Sequence, residues 1–281
     1  MKILILGYKG MLGSDLVLRL IGSHDVIGRD IEDFDIASAD ACEHIISDAE
    51  PDVVINAAAY TDVDGCESNK ELCFSVNAEG VKNIAVICKD KGIKIVHFST
   101  DYVFNGKKET PYLEDDLCDP INVYGCSKLA GEQYLQQYSN NYLLIRSSWL
   151  YGRNGKNFVR TIVEKARTEK SLKIVDDQVG SPTFTWDLAR AVQLLVEGQY
   201  NGIFHITNRG HCSWYEFAQK IVKFSSANDV AVYPITSDVL SRPANRPSYS
   251  VLGCRKFIES TGKTMRYWQV ALGDFISKMG Y

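Results

Sequence analysis

The sequence predicts an α/β fold: a doubly wound parallel sheet joined to a smaller mixed α/β unit. Three observations carry that prediction. Through the first 150 residues, short apolar runs alternate with helix-length stretches. A glycine-rich turn, Gly7-Tyr8-Lys9-Gly10-Met11-Leu12-Gly13, separates the first apolar run from the first helical one. Beyond residue 150 the alternation gives way to helical stretches with isolated strands between them.

In chain order, Lys2–Leu6, Val26–Gly28, Asp52–Asn56, Ile93–Phe98 and Tyr142–Arg146 read as strands, rich in β-branched residues and bounded by glycine, aspartate or serine. Between them Leu12, Leu16 and Leu20, and then Leu72, Val76, Ile84 and Ile87, recur at helical spacing. Strands joined by helix-length connections pair in parallel. Near-continuous apolar strands suit a sheet covered on both faces, a Rossmann-like arrangement. Helical stretches follow at about 156–169, 186–197, 214–224 and 267–279, with strands at Leu172–Val175 and Ile203–Ile206. The last helix places Trp268, Ala271, Leu272, Phe275, Ile276 and Met279 on one core-facing stripe. The serine-, proline- and asparagine-rich stretch from Ser225 to Ser250 reads as loops.

Composition narrows the function. The chain has 281 residues, 31 basic and 35 acidic, and a net charge of −4. That balance lacks the basic face that nucleic-acid binding needs to displace counterions. No segment approaches the ~20 apolar residues that span a bilayer, and the first seven residues are too short for a signal peptide. The eight cysteines are scattered without a C-x-x-C pair, which suits reduced thiols in a cytoplasmic protein. The five histidines form no H-E-x-x-H, so no metal site is expected. The acidic run Glu114-Asp115-Asp116 reads as a solvated loop. No G-x-S-x-G elbow is present, and Phe257 stands where a P-loop ending in Gly262-Lys263-Thr264 would need glycine.

The glycine turn at the first strand–helix junction predicts nucleotide binding. A pyrophosphate approaches the chain only where no Cβ intervenes, and the helix N-terminus offers free N–H groups. A second constellation is Tyr124-Gly125-Cys126-Ser127-Lys128 at the start of a helix, where i and i+4 share one face. A phenol titrates near pH 10, and a neighbouring cation would pull it toward phenolate, making it a general acid/base. Ser99-Thr100-Asp101-Tyr102 follows the fourth strand, at the edge where doubly wound folds bind ligands. A hydroxyl there could bond a substrate carbonyl.

Together with Asn56-Ala57-Ala58-Ala59, these segments resemble the extended short-chain dehydrogenase/reductases. Ala59-Tyr60-Thr61-x-Val63-Asp64, Ser148-Trp149-Leu150-Tyr151-Gly152, Asp177-Gln178-x-Gly180-Ser181-Pro182-Thr183, Ser213-Trp214-Tyr215-Glu216-Phe217-Ala218 and Arg246-Pro247-x-Tyr249-Ser250 are similar to dTDP-4-dehydrorhamnose reductases. The resemblance implies hydride transfer from NADPH or NADH to the C4 carbonyl of a dTDP-4-keto-6-deoxysugar. It implies Thr100, Tyr124 and Lys128 as catalytic residues. Gly7, Gly10, Met11, Leu12, Gly13, Asp30, Ala57, Ala58, Ala59, Asn77 and Ser99, with Tyr124 and Lys128, would meet the cofactor. Thr100, Asp101, Tyr102 and Trp149 would meet the sugar, although Trp149 could also be core packing. Arg246 is either a pyrophosphate contact or an exposed loop arginine. Residues 1–150 would bind the dinucleotide and 151–281 mainly the substrate, with 202–208 a segment that can return to the first unit. The expected partner is a nucleotide sugar, with neither nucleic acid nor membrane; the chain is expected as monomer or homodimer.

The residues near the ribose point both ways on the cofactor. Asp30 ends the second strand, where a carboxylate would bind the ribose 2′-hydroxyl of NADH, but Arg29 and Lys9 could pair with the 2′-phosphate of NADPH. Dual use is expected. Other readings stay open at this point: a different nucleotide-sugar reductase, a 4-epimerase, or a non-catalytic NAD(P)-binding regulatory subunit.

Overall fold

A computed structural model describes residues 1–225 and 230–281. Its centre is a six-stranded sheet, every pair parallel, built from β1 (Lys2–Leu6), β2 (Asp25–Arg29), β3 (Val53–Asn56), β4 (Lys94–Thr100), β5 (Tyr142–Ser147) and β10 (Gly202–His205). The spatial order is β10-β5-β4-β3-β1-β2. The chain therefore reverses its winding between β1 and β3, and the crevice at that switch point is where such sheets bind ligands.

β1 shows how the sequence drives this. Successive strand side chains point to opposite faces. Ile3 and Ile5 enter the core under α1 (Met11–Leu20) and α8 (Thr185–Glu197), with Leu16, Leu188 and Val192. Leu4 and Leu6 enter the opposite core, with Ile46 of α2 (Ala39–Ala49) and Ile84 of α5 (Gly80–Asp90). These four β1 side chains are fully buried, each contributing about 1.5–3 kcal/mol of transfer free energy. An apolar run buried on both sides needs no alternation.

A third core lies beyond residue 150. There α7 (Phe158–Ala166), α9 (Trp214–Phe224) and α11 (Trp268–Met279) pack Ile162, Phe217, Trp268 and Phe275 around Tyr151 and Phe184. Three two-stranded ladders edge it: β6 (Leu150–Tyr151) with β9 (Thr183–Phe184), β8 (Val179–Gly180) with β11 (Cys212–Ser213), and β7 (Ser171–Val175) with β12 (Ala231–Ile235). No helix among the described residues is long and apolar enough to cross a membrane.

Several expectations need correction. β12 lies inside the stretch expected to be all loop; Pro234 within it hid it, since proline in a sheet is confined largely to edge strands. Residues 226–229 of that stretch lie outside the described residues. β4 runs on through Ser99 and Thr100, so these belong to the strand and do not follow it. Leu72 is 50% exposed and leaves the stripe shared by Ile84 and Ile87. Between α4 (Lys70–Phe74), which carries Leu72, and α5 lies a π-helical turn, Ser75–Glu79, whose wider winding rotates one face against the other. Two carboxylates of the acidic run are tied in while Asp115 stays exposed: Glu114 accepts from the His205 N–H at 2.9 Å, and Asp116 pairs with Lys108.

Candidate active site

The glycine turn folds into a cradle at the switch point. Gly7 has φ +77°, and a Cβ there would lie 2.7 Å from the Ala58 nitrogen. Gly13 packs against the Gly7 carbonyl, where a Cβ would come within 2.0 Å. Gly10 caps α1 without a side-chain bond, so the N–H groups of Met11, Leu12 and Gly13 keep no intrahelical partner. The Leu12 side chain itself is core, and Met11 packs beside Gly152. Both have free main-chain N–H groups at the helix N-terminus.

Beside the cradle is a cavity of about 250 Å³ lined by Gly7, Gly10, Asp30 and Ala57 to Ala59, with an apolar wall of Ile31, Phe34, Ile36 and Val76. The Asp30 carboxylate accepts from the N–H groups of Lys9 and Ile31, both at 2.9 Å. The Lys9 ammonium turns away to Glu32 at 3.0 Å. Sequence reading missed the apolar wall, although Ile31, Phe34 and Ile36 stand out in an otherwise acidic stretch. Asn77 is buried beside this cavity's Val76. Its amide accepts from Tyr60 N at 2.9 Å and donates to Tyr60 O at 2.9 Å and Ser127 Oγ at 3.0 Å, so it clamps two segments together.

The candidate catalytic residues lie where β4 ends against α6 (Val123–Tyr138), which Asn122 caps by accepting from Gly125 N at 2.7 Å. Thr100 and Ser99 are buried on β4, and Ser99 Oγ has no hydrogen-bond partner among the described residues. Thr100 Oγ1 donates to Asp101 Oδ1 at 3.0 Å and accepts from Tyr102 N at 3.1 Å. Tyr102 and Tyr124 meet edge to face, ring centroids 5.8 Å apart. Lys128 is 2% exposed, and its Nζ lies 3.4 Å from His97 Nε2.

The electrostatics correct one expectation. Lys128 does not draw Tyr124 toward phenolate: burial pushes the phenol well up, reinforced by the Asp101 carboxylate and opposed by the Thr100 hydroxyl. Burial likewise pushes Lys128 down to about 8, opposed by Glu132. Asp101, 2% exposed, is pushed up to about 6 by burial against hydrogen bonds from Ser250 and Thr100. In a site this dry, desolvation outweighs the pairwise attraction. Tyr124 is thus held as a phenol, the form that can donate a proton.

Toward the second unit, Trp149 has φ +49° and stacks on Trp214. Arg246 is neither exposed nor free. Its guanidinium donates to both oxygens of Asp64, at 2.8 and 3.1 Å, and that bridge joins the 244–246 loop to the segment after Ala59. Sequence reading also missed a buried pair, Glu132 with Arg146, bonded at 2.6 and 2.9 Å. Two polar side chains inside a helix and an apolar strand were its signal.

The residues fit a dinucleotide: a cradle that any Cβ would fill, a free helix N-terminus, a carboxylate at the far rim and the unpartnered Ser99 hydroxyl. The chain matches the RmlD substrate binding domain family over residues 1–280. It is 40% identical to the spore coat polysaccharide biosynthesis protein SpsK of Bacillus subtilis, over 99% of this chain and 97% of that one. A crystal structure of a dTDP-4-dehydrorhamnose reductase from Clostridium acetobutylicum superposes with a TM-score of 0.97 at 41% identity, covering 100% of both chains. The Bacillus anthracis dTDP-4-dehydrorhamnose reductase, solved in complex with NADP, superposes at 0.96 and 35% identity, over 99% of this chain and 100% of that one. On the family match and these whole-chain likenesses, this chain belongs to the RmlD substrate binding domain family.

Proposed function

We propose that the chain catalyses NAD(P)H-dependent reduction of the C4 keto group of a dTDP-4-keto-6-deoxysugar, giving dTDP-L-rhamnose for nucleotide-sugar and surface-polysaccharide biosynthesis. The observation that carries this reading is the Tyr124 phenol bonded to Thr100 at the β4 end, with Lys128 one turn along the same helix, beside a glycine cradle in a chain of this family.

A reduced nicotinamide, when bound, would supply the hydride for C4. Tyr124, kept as a phenol by burial, gives its proton to the carbonyl oxygen as that oxygen gains charge. Thr100, anchored by Asp101 and Tyr102, orients the same oxygen. Lys128 would hold the cofactor ribose. The main-chain groups of Gly7 to Gly13, with Asp30, Ala57 to Ala59 and Ser99, take the dinucleotide. Asp101, Tyr102 and Trp149 line the sugar side, and residues 151–281 supply most of the remaining substrate contacts.

The test is a panel of dTDP-, UDP- and GDP-linked 4-keto-6-deoxysugars, followed by loss of NADPH or NADH absorbance. Stoichiometric cofactor oxidation with the dTDP sugar is expected. Conversion of a sugar without net cofactor oxidation would instead identify an epimerase.

A further inference from the structure

Two cysteines that the reaction above does not use meet against the start of α6. Cys66 lies on α3 (Val63–Ser68) and Cys73 on α4, both fully buried, and their sulfurs are 2.7 Å apart. Spacing along the chain does not explain this. In one unbroken helix, residues seven apart share a face, but the rise separates them by about 10 Å. Here the helix breaks at Asn69, with φ −122° and ψ 50°, which ends α3 and opens α4. The Asn69 amide fixes that corner by donating to the Gly65 carbonyl at 2.9 Å. The bend brings the two side chains together.

The hydrogen bonds show which hydrogen fills the contact. Ser127 Oγ uses its single hydrogen on the Tyr124 carbonyl at 2.7 Å, so toward Cys73 and Asn77 it can only accept. The Cys73 thiol donates to it at 3.1 Å, and Asn77 Nδ2 at 3.0 Å. The hydrogen between the two sulfurs is therefore the one on Cys66. Burial, with the Cys73 contact, pushes the Cys66 thiol well up, so the pair rests as thiols. An approach of about 0.65 Å would bring the sulfurs to the bonded distance of a disulfide.

We propose that Cys66 and Cys73 form an oxidant-gated staple: a dithiol that hydrogen peroxide closes to a disulfide, fastening α3 to α4 against the helix that carries Tyr124 and Lys128. The step balances on two thiols and one peroxide. One sulfur takes an oxygen from peroxide, becoming a sulfenic acid and releasing water. The other sulfur attacks it, forming the S–S bond and expelling that oxygen, with the second thiol hydrogen, as another water. Together the sulfurs lose two electrons and two hydrogens, and the peroxide O–O bond is reduced. Peroxide is small, and the cover is thin. Ser68 to Leu72 are all exposed, between helices of six and five residues that open locally at low cost. Closure leaves Asn77 as a donor to Ser127, so the start of α6 keeps that support. The proposal does not depend on the reading of the chain as a reductase.

Trypsin reads the link, because Lys70 lies between the two cysteines. The folded full chain is treated with hydrogen peroxide, its remaining thiols are capped, and it is digested without reductant. Peptides 30–70 and 71–82 should leave joined and part with dithiothreitol, while Cys42, on the first of them, carries the cap. The treated chain should melt a few degrees higher, the scale of one short closed loop, and lose that gain on reduction. Cys66→Ala should neither link nor gain, although the peptide map of the native chain needs no variant. Separate peptides after treatment, a link to Cys42 or Cys126, oxidation that stops at sulfinic acid, or an equal gain in Cys66→Ala overturns the proposal.

Discussion

The indole of Trp149 lies face to face with that of Trp214, ring centroids 3.5 Å apart and planes within 7°. The two come from different parts of the fold. Trp149 follows β5 in left-handed backbone, φ +49°, a costly conformation for so bulky a residue. Trp214 opens α9, fixed by the Ser213–Glu216 capping box, and packs on Phe158 with centroids 4.5 Å apart. The stack fastens Trp149 to the third core and holds its backbone where it is.

Trp214→Ala should raise KM for the keto-sugar about threefold to tenfold, the scale of one aromatic pair, and leave the Kd of NADPH unchanged. It should also abolish the exciton couplet that stacked indoles give in circular dichroism. Unchanged KM despite a lost couplet would mean that Trp149 does not meet the sugar.

Tyr124→Phe should keep cofactor binding and lower kcat by two or more orders of magnitude, within the roughly 10²–10⁴-fold typical of general acids. Near-normal turnover would sink the assignment. Lys128→Met should weaken both kcat and cofactor affinity. If affinity stays native while chemistry slows, the ribose-holding role is wrong.

Asp30 anchors the glycine turn through the Lys9 N–H as well as facing the cavity. With the Lys9 ammonium drawn to Glu32, neither cofactor gains a decisive contact. We expect kcat/KM for NADH and NADPH to lie within about tenfold, or about 1.4 kcal/mol. Asp30→Ala should shift that ratio toward NADPH while raising KM for both. A native preference beyond a hundredfold, or an unshifted ratio in the variant, would count against this account.

Asp101 gives stability a pH signature. Its folded pKa, about 6, lies above the ordinary carboxylate value of 3.8, so the folded chain binds that proton more tightly than the unfolded chain. The contribution is complete below about pH 4 and is lost as pH rises through about 6, at most about 3 kcal/mol. Asp101→Asn should therefore raise the melting temperature by several degrees at neutral pH and hardly at all near pH 4. A gain of equal size at both pH values would show that the carboxylate is not ionised at a cost.

Much of the site was legible because cofactor chemistry constrains contiguous segments. The glycine turn, the Asn56 to Ala59 run and Tyr124 with Lys128 are local patterns, and backbone geometry explains each. Asn77 and Arg246 were not legible in this way. Their side chains answer partners 17 and 182 positions away, Tyr60 and Asp64.

By itself the sequence determined the parallel sheet, because doubly buried apolar strands separated by helices have few other ways to hide their surface. It also determined the spacing of Tyr124 and Lys128 on one helical face, since 3.6 residues per turn needs no tertiary partner. The charges on those residues were decided only in the folded molecule. His97, Asn56, Glu132 and Thr100 reach the pair from β3, β4 and α6, and burial there removes the water that would have set ordinary pKa values. Desolvation is a property of the packed whole, so no spacing along the chain encodes it.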